Sequence, residues 1–180
     1  MIPTANQCLQ LMERYGMPPH IRAHSMVVRD VALVIARELT LSRMEISLDM
    51  VEAGALMHDI AKEQCLHTGE DHAFKGMEIC RNHQLNEIAE IVGEHVVLRG
   101  FSLDKRIKEK EIVYYADKRV NHDKIVSLED RLEYLIERYG RNRDDLCNLM
   151  RKNFELCRRV EKKIFNQLSF RPEDLMEMFE

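Results

Sequence analysis

At 180 residues the chain is long enough for one compact domain with a single sizeable core, taking about 150 residues per domain as a prior. Gly (7) and Pro (4) together reach about half of their ordinary share, hydrophobic residues are 45% and charged residues 32%, which excludes collagen-like repeats and wholesale disorder and favours long helices of unbranched side chains. A net charge of -4 and a pI near 6.1 give no reason to expect non-specific binding to nucleic acid or to an anionic membrane.

The predicted fold class is all-α. A first helix covers Pro3 to Tyr15 and stops at Gly16; Pro18 and Pro19 open a second, running to about Leu39, because Pro is tolerated in a first turn. Ser47 caps a third helix that ends near Lys62, and the polar segment Glu63 to Glu70, containing Gly69, breaks the pattern. Asp71 caps a helix from His72 to His83, and another follows from Asn86 to Val97. Beyond a loop with Gly100 and a basic stretch, a helix spans Lys108 to Asn121. Ser127 with Asp130 approximates a capping box for the next, which stops at Gly140. A long charged helix from Asp144 to Gln167 and a short one after Pro172 complete the chain. The longest aliphatic run, Val31 to Ala36, is far too short to span a bilayer, and the N-terminus lacks a basic segment followed by an apolar one, so the expected location is cytoplasmic. The five cysteines, Cys8, Cys65, Cys80, Cys147 and Cys157, contain no C-x-x-C and are expected as buried, reduced thiols.

Ionisable residues on apolar stripes carry the functional information. Counting back from Val27 and Val28 lands on His24; Leu48, Val51 and Ala55 continue into His58, with Asp59 beside it. Ile88, Ile91 and Val92 continue into His95, and Val113, Ala116 and Val120 share their stripe with Asp117. A single inward His is more often a core residue bonded to a backbone carbonyl than a ligand. Five such residues on four helices are harder to assign to separate accidents, and buried carboxylates need a cation or strong donors. Together they offer the mixed N/O set that a divalent metal accepts.

These residues resemble the HD superfamily of metal-dependent phosphohydrolases, whose signature is a His, a His-Asp pair and a distant Asp. Here they are His24 in Arg22-Ala23-His24-Ser25, the pair in His58-Asp59-Ile60-Ala61-Lys62, and Asp117 in Tyr115-Ala116-Asp117-Lys118. The pair looks like the family's His-Asp-Ile-Gly/Ala-Lys variant. The resemblance covers about residues 20 to 125 and implies an HD-domain helical bundle, expected over residues 1–126; residues 127–180, which it does not explain, are expected as a C-terminal helical extension packed on the same domain.

Branches of the family add two histidines that hold a second metal, for which His72 and His95 are the candidates. His67 and His83 are alternatives in polar segments, and His20 lies on the His24 face near the expected entrance. This arrangement is similar to bacterial HD-type hydrolases of diadenosine tetraphosphate. By that resemblance His24, His58, Asp59 and Asp117 hold one ion and His72, His95 and bridging Asp59 a second. Iron or manganese is favoured, with nickel, cobalt, zinc or magnesium as further options. Asp59 and Lys62 are the expected catalytic residues, and Lys62 and Lys118 the expected phosphate contacts; a solvated surface lysine is the competing reading, as strong as the functional one for Lys118 and weaker for Lys62.

The expected function is hydrolysis of a phosphoester or phosphoanhydride bond in a phosphorylated small molecule, a nucleotide or dinucleotide, by a metal-activated water. The alternatives are an HD-like module that binds a nucleotide for regulation with little turnover, and a helical interaction protein with a closed structural metal. Arg141 to Lys163 holds eight basic residues against four acidic ones with few aromatics, which reads as a solvated helix face, not a nucleic-acid contact. The apolar positions of that helix fit packing on the domain or on a second subunit, so a homodimer is among the expectations, and no membrane partner is.

Overall fold

The computed structural model describes residues 1–179, and helices carry nearly all of its regular structure. Thr4 and Gln7 form a reciprocal capping box at the start of α1 (Ala5–Arg14). Next come α2 (Pro19–Leu41), α3 (Leu48–Met57), α4 (Lys62–Thr68), α5 (His72–Asn82), α6 (Asn86–Glu94) and α7 (Glu109–Lys118). Two short strands, β1 (Val120–Asn121) and β2 (Lys124–Ile125), pair antiparallel with Val120 opposite Ile125. The chain closes with α8 (Leu128–Tyr139), α9 (Asp144–Phe165) and α10 (Asp174–Glu177).

The core is built around α3. Ser47 caps it, and Val51 and every residue from Ala53 to Met57 are buried, as expected of a helix that is apolar on most sides. α2 lies along it, burying Ile21, His24, Val28, Val31, Ile35 and Leu39. α7 and α6 complete its cover. Gly54 permits the close approach of α6, since a Cβ there would sit 2.6 Å from Ile91 Cγ2. α5 and α6 form an antiparallel helical hairpin in which Gly76 lies against Val92.

The all-α reading holds, but four boundaries differ from the expected ones; α6 ends at Glu94, not Val97, with the His95 ring bonded back to the Val92 carbonyl. α3 ends at Met57, not Lys62: the His58 ring bonds back to the Ala55 carbonyl, and tight bonds from Ile60 N to Met57 O and Lys62 N to Asp59 O turn the chain. The polar segment then forms α4, because Cys65 is buried and Gly69, at φ 73, ends the helix in the left-handed region. α7 ends at Lys118, and the β1–β2 hairpin takes the next residues, with His122 at φ 55 in its turn. All five cysteines are buried free thiols, and burial pushes those of Cys8, Cys80 and Cys157 up to about 12. Among the described residues no helix is long and apolar enough to cross a membrane.

α9 is fastened to α7 by polar bonds set in the core. Tyr114 donates its hydroxyl to Asn153, whose Oδ1 lies at 2.7 Å, and Tyr115 donates to Glu161 at 2.7 Å. Lys163 bonds both oxygens of Glu111, at 3.0 and 2.8 Å, with both side chains buried. Removing one partner of such a pair leaves an uncompensated buried charge, so Lys163→Met is expected to cost about 3–5 kcal/mol in chemical denaturation. Adding Glu111→Leu to it should recover most of that loss; a double variant as unstable as the single one would mean that the pair is not what joins the helices.

Candidate metal centre

Four histidines and two aspartates meet where α2, the turn after α3, α5, the end of α6 and the end of α7 converge. Each arrives from a helix end or stripe fixed by local packing. His24 sits in the buried stripe of α2, and His58 and Asp59 follow the last residue of α3. His72 is the first residue of α5, held by Asp71, whose Oδ1 caps Ala73 N and Phe74 N at 2.9 and 3.2 Å. His95 follows α6, and Asp117 stands in the last turn of α7.

Asp59 lies at the middle. Its side chain is 1% exposed, and its two oxygens face different histidine pairs. Oδ2 lies 3.4 Å from His58 Nε2 and 4.0 Å from His24 Nε2; Oδ1 lies 3.4 Å from both His72 Nε2 and His95 Nε2. Asp117 Oδ1 closes the His24 and His58 side, at 3.1 and 3.7 Å from their Nε2 atoms. The donors divide into two sets that share Asp59: His24, His58 and Asp59, and Asp59, His72 and His95, each with one ligand atom per residue and all within 4.8 Å of one another.

Hydrogen bonding outside the cluster sets which ring nitrogen faces in. The Nδ1 of His24 lies 2.8 Å from the His122 carbonyl, that of His58 2.7 Å from Ala55 O, and that of His95 2.7 Å from Val92 O. A carbonyl only accepts, so each Nδ1 carries a proton and each Nε2 is turned inward. His58 Nε2 and Asp59 Oδ1 are fully buried with no hydrogen-bond partner. Buried polar atoms are rarely left so. Two of them aimed into one centre, among imidazoles and carboxylates, fit a divalent cation.

Burial opposes the charge on Asp59, but His58 and Lys62 outweigh it and hold the carboxyl well below its usual range; Lys118 and His24 do the same for Asp117. Burial lowers His95 to about 4, which leaves it neutral, as a ligand must be.

The two lysines expected at a phosphate are placed differently. Lys62 Nζ lies 2.7 Å from Asp59 Oδ2 and its side chain is 32% exposed, at the open side of the cluster. Lys118 is buried. Its ammonium donates to Asp117 Oδ2 at 3.1 Å and to the His95 carbonyl, and lies 4.1 Å from the centre of the Tyr114 ring. Of the remaining histidines, His20 is exposed, His67 pairs with Glu63 on the surface of α4, and His83 bonds the Tyr15 hydroxyl at 2.9 Å, so none of the three joins the cluster. His122 enters only through its backbone carbonyl. Sequence reasoning had no signal for the three carbonyls that orient the rings, since every residue carries one.

An all-helical body with a His/Asp cluster of this kind defines a class of metal-binding helical proteins. The HD domain family model matches residues 21–135, and the chain belongs to that family. It is also similar to two tRNA (cytidine(56)-2'-O)-methyltransferases. The one from Thermoplasma volcanium is 29% identical over 142 residues, 72% of this chain and 40% of that protein. The one from Picrophilus torridus is 28% identical over 146 residues, 73% of this chain and 40% of that protein. An uncharacterized protein of Methanocaldococcus jannaschii is 23% identical over 146 residues, 74% of this chain and 85% of its own length. The chain thus spans about two fifths of the length of the two methyltransferases. No solved structure matches it.

Lys118 orients both Asp117 and the His95 backbone. Lys118→Met is therefore expected to weaken divalent-metal binding about 10- to 100-fold, the usual effect of losing an outer partner of a ligand. Competition with a fluorescent chelator measures this; wild-type affinity in the variant would remove Lys118 from the ligand architecture.

Proposed function

We propose that the protein is a metal-dependent phosphohydrolase that cleaves a phosphoester or phosphoanhydride bond in a nucleotide or dinucleotide. The observation that carries this reading is Asp59, whose two oxygens each face a separate pair of histidines. That arrangement suits one carboxylate bridging two ions. His24, His58 and Asp117 join Asp59 as ligands of the first, and His72 and His95 as ligands of the second. The mixed nitrogen and oxygen donors favour iron or manganese among the first-row ions. Divalent ions held there supply Lewis acidity, bringing the acidity of water near neutral pH and neutralising charge on phosphoryl oxygens.

The residues of the chain do the rest. His24, His58 and His95, locked by their Nδ1 bonds, hold the ligand geometry rigid. Lys62 neutralises Asp59 on its Oδ2 side and presents its charge to a phosphate arriving from the open rim. Lys118, buried behind Asp117, is a positioning residue. Access is from the side of Lys62, His72 and Asp117, whose side chains are 32, 28 and 14% exposed, while His58, Asp59 and His95 form the closed back wall.

The methyltransferase relatives carry names that refer to tRNA. The stretch they share with this chain is 40% of each and about seven tenths of this chain. We assign hydrolysis, not methyl transfer, to the shared part.

The test is to purify the protein, measure bound metal, and assay bis-p-nitrophenyl phosphate and a nucleotide panel. Asp59→Ala should lose bound metal and reduce turnover by more than the roughly 100-fold that losing an outer partner costs. Metal-replete wild type that turns over no phosphoester would sink the proposal.

A further inference from the structure

Three side chains close the end of α6. The last carbonyls of a helix find no partner within it. Here the Val92 carbonyl takes the Nδ1 proton of His95 at 2.7 Å, the His95 carbonyl takes the Lys118 ammonium, and the Val96 carbonyl takes Nδ2 of Asn153 at 2.9 Å. The third donor comes from α9, past residue 135 where the family match ends. Among the described residues no other side chain of α9 hydrogen-bonds a neighbour of His95.

Asn153 is half-buried, and its amide fits only one way round. A carbonyl needs a donor, so Nδ2 faces Val96 O and Oδ1 is left for the Tyr114 hydroxyl, 2.7 Å away. The ring of that tyrosine, fully buried on α7, has the Lys118 ammonium 4.1 Å from its centre, one turn further along. Lys118 in turn bonds Asp117 Oδ2 at 3.1 Å and the His95 carbonyl. The contacts form a closed circuit: Asn153 to Val96, Val96 next to His95, His95 to Lys118, Lys118 to Tyr114, and Tyr114 back to Asn153. His95 belongs to it and Asp117 is bonded to it, so two of the candidate ligands depend on the same ring of contacts. The other polar ties between α7 and α9, Tyr115 with Glu161 and Glu111 with Lys163, contain no residue of the circuit.

We propose that Asn153 is a positioning residue of the metal centre, supplied by the C-terminal part of the chain: it holds the backbone at His95 and, through Tyr114, the Lys118 ammonium where divalent-metal binding needs them. Asn153 meets no ion itself. Its effect passes through the peptide that carries the His95 imidazole and through the lysine that bonds Asp117, as partners outside a ligand set commonly act. The inference rests on the reading of the cluster as a metal centre and not on the reaction assigned to it.

The experiment uses full-length protein and cobalt(II) alone as the probe. Affinity is read by competition with a fluorescent chelator, and ligand geometry by the visible absorption of the bound ion. Asn153→Leu should weaken cobalt(II) binding by about 10-fold or more, the lower end of what losing an outer partner of a ligand costs, and should alter the absorption bands. Tyr114→Phe, which keeps the ring beside Lys118 and is the milder change to the core, should weaken it by about 5-fold, the scale of one neutral hydrogen bond. Tyr115→Phe removes a bond of the same kind between α7 and α9 but outside the circuit; it should lower the unfolding midpoint and leave affinity and spectrum at their wild-type values. Wild-type affinity and spectrum in both Asn153→Leu and Tyr114→Phe would overturn the proposal. So would a loss in Tyr115→Phe equal to that in Asn153→Leu, because general fastening of α9 would then account for both. Wild-type protein that takes up no cobalt(II) would overturn the metal-centre reading and this inference with it, which keeps the two failures distinguishable.

Discussion

The burial of Asp59 is the constraint from which the rest of the site follows. Two unit charges 4 Å apart interact by about 4 kcal/mol at an effective dielectric constant of about 20, and an isolated buried carboxylate loses several kcal/mol of hydration. Asp59 and Asp117 therefore cannot both stay charged at the centre of the molecule without cations close by. Lys62 at 2.7 Å and Lys118 at 3.1 Å meet that need from opposite sides, one at the rim and one behind the wall. The main chain follows suit. α3 stops where it does because His58 turns back on the Ala55 carbonyl, and that stop carries Asp59 into the centre and releases Lys62 to begin α4.

The part of this that was legible in the sequence is the part that follows from helical periodicity. His24, His58, His95 and Asp117 sit where apolar stripes run on, and a residue on a stripe faces whatever the stripe faces. His72 was legible for a different reason: Asp71 fixes the first turn of α5, and the Gly76, Ile79 and Cys80 stripe fixes which way that turn looks. What stayed hidden was set by tertiary contact. Nothing local says that α3 ends five residues before Lys62, since Ile60 and Ala61 are adequate helix formers; the ring-to-backbone bond of His58 decides it. The β1–β2 hairpin was read as the tail of a helix because Val120 continues the stripe of α7. Lys118 reads as a surface residue beside Asp117, yet its ammonium is drawn inward by three acceptors: a carboxylate, a carbonyl and the face of Tyr114.

The C-terminal helices bear on the site through α7. Tyr114, Tyr115, Glu111 and Arg119 all lie on or just past that helix, and each reaches toward α9 or the residues after it. Lys118 lies on the same face as Tyr114, one turn on, with its ammonium 4.1 Å from the centre of that ring, and bonds Asp117 beside it. Asn153 of α9 adds a bond from Nδ2 to Val96 O at 2.9 Å, next to His95. α9 thus braces two of the helix ends that deliver ligand side chains. The family match continues to residue 135, into α8.

The distribution of exposure around the cluster separates a working site from a structural one. Structural metal sites are closed, with every coordination position filled by protein, and a site that is to meet a substrate keeps an open side. Here His58, Asp59 and His95 are nearly free of solvent contact, whereas His72, Lys62 and Asp117 keep part of their side chains exposed. The site is framed by positive charge: with two carboxylates matched by two lysines, any divalent ion leaves the centre net positive. In a protein whose overall charge is -4, the anion-attracting field is then confined to the mouth, where low-dielectric walls focus it.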